Sequence, residues 1–114
     1  MIELTKSQKK IAQELIDLGL QIECRSFTDK ITKFTNSSEW KTGNPHENYL
    51  KLYKKVTSFD KHIAKRYNNV TGSHYFMTVW GLFYDEVLTT EDISRFDSEV
   101  QNELLRLKSA YENE

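Results

Sequence analysis

HYFMTVWGLFY, residues His74–Tyr84, is the most informative segment of this chain. Projected at about 100° per residue it makes a helix with Tyr75, Phe76, Val79, Trp80, Leu82 and Phe83 on one broad face. Met77 and Tyr84 widen that face to roughly 220°. An ordinary surface helix buries a narrower stripe, so this one predicts cover on two sides, by the rest of the domain or by a second copy of it. Ser73 stands where a cap belongs, and the helix is read on to about Val87.

On the N-terminal side, Asn68-Asn69 and Thr71-Gly72 supply residues that tolerate the left-handed backbone of a tight turn. Before them Leu52, Val56, Phe59, Ile63 and Tyr67 recur at helical spacing and predict a second helix over Pro45–Tyr67. Its start is well marked: Asn44 as cap, Pro45 at the first helical position and Glu47 at the capping-box position. The preceding run TNSSEWKTGN, Thr35–Asn44, has no periodicity and reads as a connection anchored to the core by Trp40. A first helix is read from Thr5 to Phe34 on Ile11, Leu15, Leu18, Ile22, Phe27, Ile31 and Phe34, with Thr5-x-x-Gln8 as a capping box. Gly19 and the uneven step from Ile22 to Phe27 leave room in it for a bend or a break.

On the C-terminal side, Leu88-Thr89-Thr90-Glu91-Asp92 restarts helix with a threonine cap and an acidic first turn. Ile93 and Phe96 follow, then Val100, Leu104, Leu107 and Tyr111, with Asp97-Ser98 dividing a short helix from a longer one. Glu112-Asn113-Glu114 is expected to fray. An all-α, single-domain bundle of four to five helices follows, since 114 residues close one core and not two.

Composition excludes several classes. Hydrophobic residues make up 38% and charged ones 29%, too apolar for a disordered chain, and no apolar run approaches the ~20 residues of a membrane helix. The opening MIELTKSQKK lacks the pattern of a secretory signal. The single cysteine, Cys24, permits no internal disulfide, and the chain is expected in the cytoplasm. Mid-helix, it reads as a packed small side chain and not as a nucleophile.

No motif carries chemistry by itself. Neither GxxxxGK[ST] nor GxGxxG occurs, which removes the common nucleotide-binding routes. His46, His62 and His74 show no metal-ligand spacing and no evident carboxylate partner, so no metal and no cofactor are expected. The second helix carries Lys51, Lys54, Lys55, Lys61, Lys65 and Arg66 against Glu47 and Asp60, although the formal net charge of the chain is −1. Such a cluster suits a nucleic-acid backbone. The plainer reading is a solvated face near the acidic segment that begins at Asp85.

The segment RYNNVTGSH, residues 66–74, resembles the Arg-x4–6-His signature of HEPN-type ribonucleases. The resemblance implies an arginine and a histidine, here Arg66 and His74, placed on a helical bundle to work on an RNA phosphodiester. Seven residues intervene in this chain and Gly72 interrupts the helix, so both are also read as turn residues. The expectation that emerges is a small non-enzymatic regulatory or adaptor protein that binds another protein. It is expected to pair as a homodimer through Tyr75, Phe76, Val79, Trp80, Phe83 and Tyr84.

Overall fold

The first amides of a helix have no partner within it, and most of the helices here begin where a side chain supplies one. The computed structural model describes residues 2–68 and 70–113, and among them the fold is all-α, with six helices and no strand. They are α1 (Lys6–Thr35), α2 (Ser38–Thr42), α3 (Pro45–Tyr67), α4 (His74–Tyr84), α5 (Thr90–Ile93) and α6 (Ser98–Glu112). The helix beyond the expected count is α2, one turn within the stretch read as a connection. The Ser37 hydroxyl caps it by accepting from the Trp40 amide.

Helix α3 has the bounds that its sequence predicts, because its start signals are local. The Asn44 side chain accepts from the amides of His46 and Glu47, and Pro45 needs no partner for an N–H it lacks. Thr89 and Asp92 form a reciprocal capping box at α5, and Asp97 caps α6 through the Val100 amide. At α1 only half of the expected box forms. The Gln8 amide donates to the Thr5 hydroxyl at 3.3 Å, while the Gln8 side chain accepts from the Asp97 amide.

Both ends of α4 differ from expectation. Ser73 makes no side-chain capping bond: its backbone is already right-handed helical, following a turn in which the His74 amide donates to Thr71. The helix stops at Tyr84 and not near Val87 because Glu86 takes φ +62°. The Glu86 amide then reaches the Phe83 carbonyl and the Val87 amide the Leu82 carbonyl, the pairing that closes a helix through a left-handed residue. Glycine usually occupies that position. The expected turn residue Asn69 and the terminal Glu114 lie outside the described residues, while α6 extends through Glu112.

The chain comprises two compact units, Met1–Leu20 with Asn69–Glu114, and Gln21–Asn68. Helix α1 is continuous through the boundary, without the break allowed for at Gly19. The first unit holds every fully buried apolar side chain among the described residues, including Leu15, Leu82, Leu88, Ile93 and Leu104 at 1% exposure or less. Each contributes roughly 1.5–3 kcal/mol of burial. Its stripe on α1 is Ala12, Leu15 and Gly19, whereas Leu18 is exposed. Small residues set that stripe: a Cβ on Gly19 would lie 2.8 Å from a Leu82 methyl.

The second unit comprises the rest of α1, α2 and α3. Phe27 stacks on Phe59 with centroids 4.1 Å apart, and Trp40 meets the edge of Phe34 at 5.4 Å, the anchor expected of it. Asn48, buried at 3%, donates to the carbonyls of Glu39 and Trp40 and so satisfies the end of α2. No apolar side chain of this unit is fully buried, and Tyr49, Leu50, Tyr53 and Val56 stand exposed on α3. None of the six helices is long and apolar enough to cross a membrane.

Candidate functional site

Helix α4 divides its wide apolar face between two tasks. Phe76, Val79, Leu82 and Phe83 are taken into the core of the first unit, so Phe76, Val79 and Phe83 leave the set expected at an interface. Their i, i+3, i+6 and i+7 spacing puts them on the side that faces their own chain. The opposite edge stays open: Met77 is 43% exposed and Tyr84 42%, and Trp80 beside them is half-buried. Tyr75, on the far side of the helix from Met77, is half-buried and accepts a hydrogen bond from the Gln13 amide group at 2.9 Å.

Trp80, Tyr84 and Tyr111 form a triangle of rings, with centroids 5.3 Å apart for Trp80–Tyr84, 5.7 Å for Trp80–Tyr111 and 6.1 Å for Tyr84–Tyr111. Tyr111 comes from α6 and is half exposed. Beside this cluster lies a cleft of about 250 Å³ bordered by Met77, Trp80, Leu107 and Tyr111. Arg106 and Glu103 stand on its rim, the guanidinium donating to both carboxylate oxygens at 3.1 and 2.6 Å. That hydrogen bond holds the Glu103 carboxyl below the usual carboxylate range. Tyr111 and Met77 were not among the expected interface residues. Tyr111 was legible only as one apolar position of the last helix.

The basic residues of α3 separate in the same way. Lys51 pairs with Glu39, whose hydrogen bond raises the lysine pKa. The Lys55 ammonium lies over the Phe34 ring, 5.0 Å from its centroid. Arg66 donates to Glu23 at 2.8 Å. Lys54, Lys61 and Lys65 are exposed and have no ion-pair partner among the described residues. Of the six expected cations, these three remain available to another molecule.

A polar cluster that the sequence did not announce holds the second unit together. Glu23 of α1 accepts from His62 Nε2 and Arg66 Nη1 at 2.8 Å each on one oxygen, and from the Tyr67 hydroxyl at 2.5 Å on the other. An ionised carboxylate only accepts, so His62 donates from Nε2. The Glu23 and Arg66 side chains are only 12% and 15% exposed. Burial first, then the hydrogen bond to Glu23, pushes the Tyr67 phenol well above the usual tyrosine range. It therefore stays protonated and donating past the pH at which an ordinary tyrosine ionises.

Arg66 and His74, the pair carried by the ribonuclease resemblance, are each engaged locally. Arg66 belongs to the Glu23 cluster, and His74 Nδ1 lies 3.1 Å from the Thr71 carbonyl. Cys24 is half-buried on α1, and among the described residues no three His, Cys, Asp or Glu side chains are grouped to hold a metal ion. Compared with protein-family models, with curated proteins and with solved structures, the chain finds no match.

Proposed function

We propose that this is a small helical module that acts by binding protein, and that it pairs with a second copy of itself through the open edge of α4 and the adjoining part of α6. The observation that carries the reading is the Trp80, Tyr84 and Tyr111 cluster, whose outer rings remain exposed beside a cleft after the core has taken its share of α4. Large aromatic anchors next to a receptive cleft are what compact protein interfaces use. A two-fold axis presents the same patch twice, so each Arg106 can face the other copy's Glu103 while the aromatic rings meet at the centre. The reading assigns no reaction to the chain, and it draws support from the local engagement of both Arg66 and His74. A cytoplasmic location belongs to the same proposal and rests on the lone Cys24, which leaves no internal disulfide to form.

Sedimentation of the wild type against Tyr84→Glu tests the pairing. Tyr84 is exposed, so the substitution spares the core. A carboxylate buried there without a partner weakens association by roughly thirtyfold or more. A wild type that sediments as a monomer at micromolar concentration, or a Tyr84→Glu variant that pairs as well as the parent, rejects the interface.

A further inference from the structure

We propose that the outer face of α3 is a binding surface for single-stranded nucleic acid, with bases stacked on Tyr49 and Tyr53 and the phosphate backbone followed by Lys54, Lys61 and Lys65. The proposal does not depend on pairing through α4. Tyr49 and Tyr53 are 58% and 61% exposed, the highest values among the exposed large hydrophobic side chains. They lie one turn apart, about 6 Å along the axis, on one face of the helix. The His46 ring lies nearly parallel to Tyr49 at 6.4 Å, and the rest of each phenol ring, left open to water on a rigid helix, offers a flat apolar surface at little entropic cost on which an unpaired base can lie.

The three lysines form a second row, roughly a third of the circumference away from the tyrosines and about 17 Å long at 1.5 Å per residue. Charge complementarity names the occupant. The other cations of α3 are occupied within the unit, Lys51 by Glu39, Lys55 by the Phe34 ring and Arg66 by Glu23, whereas these three ammonium groups have no ion-pair partner among the described residues. Asp60 falls on the tyrosine side and Glu47 at the N-terminal end, and neither forms an ion pair with the row. A row of cations beside exposed aromatic rings fits a strand that carries phosphates on one side and unstacked bases on the other. In a duplex the base faces are already stacked on one another and closed to the tyrosines.

The test is fluorescence anisotropy of the full chain with a labelled uridine oligonucleotide at low salt, beside a duplex of equal length and a polyglutamate peptide. Three neutralised phosphates give a log–log salt slope near −2, so affinity falls roughly twentyfold between about 50 and 200 mM salt. Tyr49→Ala and Tyr53→Ala each weaken binding by about 5- to 150-fold. Replacing Lys54, Lys61 and Lys65 together by alanine flattens the salt slope. All five sites are exposed, and unchanged circular dichroism confirms folding. Absence of oligonucleotide binding overturns the proposal, as does equal affinity for the duplex. Indifference to both tyrosine substitutions, or equal competition by polyglutamate, also overturns it and points to an acidic protein partner. Oligonucleotide binding by Tyr84→Glu separates this surface from the α4 edge, since it persists if only the pairing fails.

Discussion

Replacing Glu23 by glutamine removes one charge from the centre of the second unit while keeping the side chain's length. Oε1 remains an acceptor for His62 and Arg66, but a neutral one, and charge-assisted hydrogen bonds are about twice as strong as neutral ones. The other oxygen becomes an amide NH2 group that faces the Tyr67 hydroxyl, which must then turn from donor to acceptor. Breaking a fully buried ion pair costs about 3–5 kcal/mol, and an exposed pair contributes about 0–1. Side chains that are 12% and 15% exposed fall between these limits, and a loss of about 2 kcal/mol follows. That is a large fraction of what holds a unit without a fully buried apolar side chain. Native-state hydrogen exchange measures it directly. Amides in the middle of α3 lose about thirtyfold protection in Glu23→Gln, while those of α4 and α6, in the other unit, keep theirs. Unchanged protection in α3, or an equal fall in α4, would refute the argument that this carboxylate is the pin of its unit.

Two further outcomes follow from the same geometry. Gly19→Ala gains about 1 kcal/mol of helix propensity but forces its Cβ to 2.8 and 3.0 Å from the methyls of Leu82, which at 0% exposure has nowhere to move. Overpacking costs about 1–3 kcal/mol, so the variant is less stable by up to about 2 kcal/mol in urea unfolding, and a variant more stable than the parent contradicts the close approach. The Tyr67 phenol is raised in the folded state, so its contribution is intact below the ordinary tyrosine pKa of about 10 and is lost as pH rises above it. Above that pH the wild type therefore loses stability more steeply than Tyr67→Phe, by up to one proton per molecule, and parallel stability curves for the two proteins count against the shift.

Local signals carried the helices. Asn44 and Pro45 start α3, Thr89 with Asp92 starts α5 and Asp97 starts α6, because a cap needs only residues within one turn of each other. The end of α4 was not legible, since Glu86 occupies a left-handed position without the glycine that marks one. The buried stripe on α1 departs from the periodicity of its large apolar residues for a related reason. Periodicity weights large apolar residues such as Leu18, while the contact surface is set by Ala12 and Gly19, which are small enough to let Leu82 approach.

The candidate sites depended still more on packing in space. An apolar face of roughly 220° told that α4 must be covered, yet only packing within the first unit divided it into buried Phe76, Val79 and Phe83 and an open edge at Met77 and Tyr84. Counting charges found six cations on α3, but which of them are engaged depends on Glu23, Glu39 and Phe34, residues on other helices. Glu23 meets its partners across 39 to 44 residues of chain, a separation at which no spacing rule operates. Where the backbone coils is written in the order of the residues, because hydrogen bonds within a turn answer to neighbours. Tertiary structure decided which side of each coil is spent inside the chain and which is left to meet another molecule, because burial and ion pairing answer to whatever surface lies opposite.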